Sequence, residues 1–363
     1  MSERPYWAAF NLIKGMGPTH TRQLLAYFGS LQAAWSASAP ELTAAGIDQR
    51  ARASLIKGRA RLDPQAELQR LDKLGIAMLT WDDPDYPPLL AELRPLDFAP
   101  PVLYLRGTLM DQDQRALAIV GARSVTAYGR QVTHTLAQEL AAAGLTIVSG
   151  LARGVDSEAH QAALEAGGRT IAVLPCGPES VYPPEHRRLA ARIIQQGALI
   201  TPLPPGTQPT DRVFQPRNRA LSGLAQGVLV IEAGDKSGAL MTAGYALEQG
   251  REVFAVPGNI TAQSSNGTNR LIQDGAHPVT SSRDVLEILK VDQQEAFAST
   301  RQILPDLSAE EQQVYQLLTA GPAHIDEITR HSTLTVSQVS AALSLLEIKG
   351  MARNLGGMQY ARR

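Results

Sequence analysis

Cysteine is almost missing from this chain. Of 363 residues only Cys176 carries a thiol, which excludes a disulfide framework and any Cys-x-x-Cys metal pair. No His/Cys cluster with metal-ligand spacing takes its place. No stretch reaches the roughly 18 apolar residues of a membrane span. The opening MSERPYWAAFNLIKG lacks the apolar core of a secretory signal, so a soluble, cytoplasmic protein with no membrane contact is expected. Phosphate-hydrolysing and nucleophilic signatures are missing too. There is no Gly-x-x-x-x-Gly-Lys-Ser/Thr: Gly234-Asp235-Lys236-Ser237 echoes its end without the earlier glycine. Gly121-Ala122-Arg123 is not Gly-x-Gly-x-x-Gly, which speaks against a dinucleotide, and no Gly-x-Ser-x-Gly elbow occurs. Neither cofactor nor metal is expected.

Net charge is also scarce, at −1, which argues against a broadly basic nucleic-acid binder. Its distribution is nearly flat. Residues 1–82 hold 10 Lys/Arg against 7 Asp/Glu, 83–114 hold 2 against 6, 115–290 hold 16 against 14, and 306–363 hold 5 against 6. A site for a polyanion must therefore be a focused cluster of arginines rather than a positive face.

What is present is a series of strand-to-helix turns built from Gly, Ser and Arg. The apolar run 145–148 ends at Ser149, and Gly150-Leu151-Ala152-Arg153-Gly154 leads into a helical pattern over 155–166. Such a turn directs free N–H groups above the sheet and favours an anion there, and Arg153 adds a guanidinium suited to phosphate. The plainer reading is a tight connection with a surface arginine. The motif is repeated, however. Strand 116–120 runs into Gly121-Ala122-Arg123, Pro216-Arg217-Asn218-Arg219 opens another helix, and Ser237-Gly238 opens a further one after a strand at 227–232. In an open parallel sheet the strands' carboxyl ends share one edge, and ligands bind there.

The strands expected are 116–120, 145–148, 170–174, 198–201, 227–232 and 252–256, with a last one at 277–280. Most are continuous Val/Ile/Leu/Ala runs, as strands covered on both faces require. Helices are expected near 128–143, 155–166, 184–196, 217–225, 238–249, 268–274 and 282–289, and 201–215 reads as a long proline-rich loop. The fold class is α/β: an extended Rossmann-like, doubly wound sheet. Four segments follow: an N-terminal helical domain (1–82), a Rossmann-like domain (83–290) that would carry the polyanion site, a linker (291–305) and a C-terminal winged helix (306–363). In the first, a Gly-x-Gly turn at 15–17 fits either a helix-hairpin-helix phosphate grip or a small bundle with glycine C-caps. Residues 62–114, acidic and rich in proline, are a poor candidate for a site. The winged helix has Ser337, Gln338, Ser340 and Ser344 but no arginine on its third helix, which fits a protein contact or a weak nucleic-acid contact better than sequence-specific base recognition.

AIVGARSVTAYG (118–129), SGLARGVDSEAH (149–160), TIAVLPCG (170–177), PRNR (216–219), SGALMTAGYA (237–246), FAVPG (254–258) and GTNRLIQDGA (267–276) resemble the DNA-processing protein A family, DprA/Smf, in order and spacing. That resemblance implies a non-catalytic protein of natural transformation that binds and protects incoming single-stranded DNA, loads the RecA recombinase and works as a homodimer. It implies a DNA pocket at the two glycine turns and the Arg-Asn-Arg motif, mapping onto Arg123, Arg153, Arg217 and Arg219, and a dimer region near Leu271 and Ile272. From the residues themselves, Gly121, Gly150 and Gly238 would offer backbone N–H groups, Gly154 and Ser237 shape their turns, Ser149 and Asn218 would hydrogen-bond, and Phe214 would stack a base.

Two departures bear on that loop. The proline of the family's Phe-Pro-x-Arg-Asn-Arg stands one place later here, at Pro216, and Thr201-Pro202 replaces Ser-Glu. Asp156 and His160 lie four apart on one helix; they could form an acid–base pair, but bracing the helix start is the simpler role. The enzymatic alternative is a phosphoribohydrolase-like enzyme acting on nucleoside monophosphates. That chemistry needs a carboxylate early in the helix after Ser237, and the first one there is Glu248.

Overall fold

The computed structural model describes residues 3–291, 307–318, 323–349 and 351–362. The chain forms two compact units, 1–299 and 300–363. The expected linker, 291–305, lies outside the described residues except for Val291.

The first unit begins with six helices: α1 (Arg4–Leu12), α2 (Pro18–Phe28), α3 (Leu31–Ser36), α4 (Ala39–Ala44), α5 (Gln49–Arg59) and α6 (Pro64–Lys73). Side-chain caps set several of their starts. Ser38 and Glu41 form a reciprocal capping box on α4, and Asp48 accepts the Arg50 and Ala51 N–H groups of α5. Next come β1 (Ala77–Thr80), α7 (Pro88–Ala91) and β2 (Val102–Gly107). The α/β alternation follows: β3 (Ala116–Val120), α8 (Ala127–Ala142), β4 (Thr146–Ser149), α9 (Val155–Glu165), β5 (Thr170–Val173), α10 (Arg187–Gln196) and β6 (Gly197–Thr201). It ends with α11 (Asp211–Gly223), β7 (Gly227–Val230), α12 (Gly238–Glu248), β8 (Glu252–Ala255), α13 (Asn266–Gln273), β9 (His277–Pro278) and α14 (Ser282–Ile288).

All nine strands join one sheet in the order β1-β2-β6-β5-β4-β3-β7-β8-β9. From β6 to β9 every pairing is parallel, while β2 and β1 are added antiparallel at one edge. Strands β3 to β7 are buried along their whole length, as helices on both faces demand. The chain winds outward from β3 through β6, then returns to pair β7 on the other side of β3. The loops after β3 and β7 therefore leave in opposite directions and open a crevice at the sheet's carboxyl edge.

Two expectations change. The N-terminal helices are not separate from the sheet: β1 is one of its strands, and a single apolar core runs from Trp7, Leu24 and Leu55 through Leu103 and Tyr104 to Val228. A boundary at 82 thus cuts between two paired strands. The second change is α11, which starts at Asp211 rather than 217 and contains Pro216. Proline removes one helical hydrogen bond, but burial at 213/214, 217 and 220/221 keeps the helical period running back past it. The expected loop 201–215 shrinks accordingly.

The second unit holds β10 (Ala323–His324), α15 (Ala309–Leu317), α16 (Ile325–His331), α17 (Val336–Ile348), β11 (Ala352–Gly356) and β12 (Gln359–Arg362), with sheet order β10-β12-β11. This is a winged helix around Val314, Ile328, Val339, Leu343 and Leu346. The short β10 escapes sequence pattern because two residues have no period to read. Among the described residues no helix is long and apolar enough to cross a membrane.

Candidate nucleic-acid interface

The crevice between the ends of β3 and β7 is a cleft of about 680 Å³. One wall is the loop from Gly121 to Ser124, another is α11 with Phe214, Arg217 and Asn218, and the third runs from Gly234 into α12.

Its floor holds two buried side chains of opposite charge, Arg217 and Asp156, each acting on the other's charge. Arg217 is 5 % exposed and Asp156 6 %. One carboxylate oxygen of Asp156 accepts the N–H groups of Gly150 (3.1 Å) and Ala152 (3.2 Å), so Asp156 closes the turn after β4. Burial pushes its carboxyl up, and the Arg217 charge opposes that shift. Burial likewise pulls Arg217 below the usual guanidinium range, while Asp156 holds it up and the nearby Arg123 pushes it down. Arg217 donates to the Val173 carbonyl at 3.3 Å, and its buried Nε–H has no hydrogen-bond partner. A Cβ on residue 150 would collide with the Arg217 guanidinium, so glycine there leaves the guanidinium its place.

Above the floor stands Phe214, half-buried on α11. The guanidinium carbons of Arg123 and Arg217 lie 5.3 and 5.6 Å from its ring centre, within cation–π range. Two like charges thus converge on one ring, a pairing that an anion between them would relieve. The Arg123 loop is locked from below. Gly154 has φ +77, and a Cβ there would meet the carbonyl oxygens of Ala122 and Arg123; the Val155 N–H bonds that Ala122 oxygen at 3.2 Å. Buried Glu232 holds the other end, accepting the Thr126 N–H (3.0 Å) and hydroxyl (2.7 Å) where α8 begins. On the third wall Ser237 caps α12 through the Ala239 N–H, and Gly238 faces open space.

Of the twelve residues expected at the site, Gly121, Arg123, Phe214, Arg217, Asn218, Ser237 and Gly238 line this cleft. Gly150 and Gly154 support it from behind. The other three do not line it, and the expectation of four arginines along one rim is corrected. Ser149 is buried with its hydroxyl 2.6 Å from the Ile119 carbonyl. Arg153 points to solvent and pairs with Glu185. Arg219 lies on another face of α11, between the rings of Phe98 and Tyr245 and paired with Glu248 at 3.3 Å. Sequence reasoning did not enrol Lys236, Asp211 or Asp235, which also line the cleft. Lys236 had a signal: a cation just before a helix cap, in a loop leaving a strand's carboxyl end. Counting Asp156, three carboxylates balance three cations, so attraction depends on placement rather than net charge.

The pair of Asp156 and His160 is divided by the fold. His160 is fully buried, bonded through Nδ1 to the Thr170 hydroxyl at 2.6 Å, and takes no part in the cleft.

Residues 77–290 match the family model described as DNA recombination-mediator protein A, and residues 298–358 match the DprA winged helix domain. The chain belongs to the DNA recombination-mediator protein A family. A relative from Synechocystis, Protein Smf, is 35 % identical across all of this chain and 99 % of its own length. The putative DNA processing protein DprA of Mycobacterium tuberculosis is 40 % identical over 81 % of this chain and 79 % of its own. Among solved structures, DprA of Streptococcus pneumoniae superposes with a TM-score of 0.69 at 33 % identity, covering 78 % of this chain and 97 % of that one. DprA of Helicobacter pylori, described for its single-stranded DNA binding mode, superposes with a TM-score of 0.53 at 30 % identity over 59 % of this chain and 95 % of that one. The cleft lies wholly within the stretch that the family model matches.

Proposed function

We propose that this family member binds single-stranded DNA in the β3/β7 cleft without breaking a bond, protects it, and hands it to the RecA recombinase as a cytoplasmic homodimer. The observation that carries the binding reading is Phe214 with two guanidiniums converging on it: a surface on which a base stacks while its phosphate meets both charges. The likeness to a protein described for single-stranded DNA binding supports it. Loading of RecA and dimerisation rest on the family alone. Leu271, in the stretch the family uses between subunits, is only partly buried against the core, which leaves apolar surface for a partner.

Asp156 gives the hydrolase alternative its one foothold, as a carboxyl raised by burial in the cleft. A general acid must hold a proton towards the leaving group. The hydrogen-bonded oxygen of Asp156 already accepts two N–H groups, and Arg217 favours its charged form. The far carboxylate, Glu248, pairs with Arg219 instead. Binding without turnover is the better reading.

The test compares a single strand, a duplex and a mononucleotide by gel shift, and repeats the single strand with Arg123→Ala. Single strands should bind tightest, no free base should appear, and Arg123→Ala should weaken binding about tenfold with a salt slope smaller by about one. Unchanged affinity would remove the cleft from the reading, and release of free base would restore the hydrolase.

A further inference from the structure

Helix α11 has a second working face. Phe214 and Asn218 look into the β3/β7 cleft; Pro216 and Arg219 line a neighbouring cleft of about 340 Å³, and Gln215 lines both. These positions lie on adjoining faces of one helix, and Gln215 borders both spaces.

The second cleft is lined mostly by Phe98 and prolines, with Arg219 as its cation and, among its polar groups, the amides of Asn11 and Gln215 and an Asp97 carboxylate already held by Arg22. Phe98, Pro100 and Pro101 form one side, and Pro18 at the start of α2 closes the end. The Arg219 guanidinium sits 4.9 Å from the Phe98 ring centre and 4.8 Å from that of Tyr245. Its side chain remains 40 % exposed, which leaves donors for a further acceptor beyond Glu248. The Phe98 wall is fixed in place. Asp97 holds φ +58, uncommon outside glycine, and Arg22 of α2 grips its carboxylate with two hydrogen bonds of 2.8 and 2.9 Å. The N-terminal helices thus brace a surface that touches α11, in the stretch whose composition marked it as a poor candidate.

We infer that this cleft takes a further nucleotide of the same single strand. The base would lie among Phe98 and the prolines, and its phosphate would meet Arg219 after the strand crosses Gln215. The inference rests on the proposed binding in the β3/β7 cleft and extends it towards the N-terminal helices. Apolar walls with a single guanidinium fit a base and its phosphate, because every base has a face to stack and the backbone brings one charge per step.

The test uses the full chain and fluorescence anisotropy with oligothymidylates of about 4 and about 12 nucleotides, lengths at the two ends of a single-strand site. Phe98→Ala should lower affinity for the longer strand about tenfold and leave the shorter one within about twofold. Arg219→Ala should act in the same direction and reduce the salt slope for the longer strand alone. Phe98→Leu, which keeps the apolar contact and removes the ring, should repeat the length-selective loss should Phe98→Ala melt early. Wild-type affinity of all three variants for the longer strand overturns the inference, as does an equal loss at both lengths with unchanged melting. A wild-type chain that binds neither length overturns the parent reading instead.

Discussion

Two parts of this chain have shapes that nucleic acids visit, and they are furnished differently. The β3/β7 cleft concentrates Arg123, Arg217 and Phe214 on one spot, with a buried carboxylate favouring the charged form of the deepest cation. The third helix of the winged-helix unit exposes Val336, Ser337, Ser340, Ser344 and Leu345. Gln338 closes the helix's own capping box with Thr335, and Lys349, just beyond its end, pairs with Glu311 at 2.7 Å. The cleft has cations converging on an aromatic ring; that helix has hydroxyls, two apolar side chains and, just past its end, a lysine engaged within its own fold. Shape alone does not make a polyanion site. The charge must also be left unsatisfied where the ligand arrives.

The largest test of this contrast is Arg217→Met. It leaves the buried Asp156 carboxylate without the charge that offsets its burial, which destabilises by at most the roughly 3–5 kcal/mol of a broken buried pair, and single-strand binding should fall with it. Adding Asp156→Asn should restore most of the stability, since an amide oxygen still accepts the Gly150 and Ala152 N–H groups, while binding stays low. Denaturant titration and anisotropy on the single and double variants separate the two effects. Recovery of both together would make Arg217 merely structural.

Acid should divide the units next. Full burial, with His186 adding to it, pulls His160 from 6.5 down to about 3. The folded chain then binds a proton there less readily than the unfolded chain. The stability from His160 is complete above pH 6.5 and is lost as pH falls towards 3, about 2 kcal/mol of it by about pH 5. In the winged helix, Lys349 and the Ser308 N–H hold the buried Glu311 carboxyl below 4.5. That contribution stays whole above pH 4.5 and declines only below it. Calorimetry between pH 7 and pH 5 should show the first unit's transition moving down and the second's staying in place. His160→Gln should flatten the first, which also sets aside Asp156, whose raised carboxyl works with the opposite sign. Parallel movement of both transitions would contradict this assignment.

These two predictions turn on side chains of unequal legibility. The strands could be read because covered parallel strands are unbroken apolar runs, and β3 to β7 fall within a residue or two of expectation. Glycine turns at 121, 150 and 154 were legible as turns, but their purpose was not: each leaves room for a particular neighbour, Val155, Arg217 or the Ala122 and Arg123 carbonyls. Pro216 concealed the start of α11 at Asp211, and with it the place of Phe214 on the helix. Positions 217 and 219 point about 200° apart on any helix that holds both, the expected 217–225 included, so they cannot both face one ligand. Ser149 and Arg153 were lost to partners distant in sequence, the Ile119 carbonyl and Glu185. No local pattern could have supplied either.

The smallest expected effect is the one that completes the comparison. A chain ending at residue 305 keeps every residue of the β3/β7 cleft and of its apolar core. The winged helix is a separate compact unit with its own core, and every residue that lines the cleft, its cations included, belongs to the first unit. Exposed hydroxyls on α17 contribute at most a few neutral hydrogen bonds to phosphate, each exchanged against water and worth about 1 kcal/mol or less. Single-strand affinity of the shortened chain should therefore stay within about threefold of the full chain, since 1.4 kcal/mol is a factor of ten. Its salt slope should be unchanged, because the cations of the β3/β7 cleft are all retained. A steep fall in both would mean that Val336 and its neighbours lie on the strand's path, and the balance between the two units would have to be redrawn.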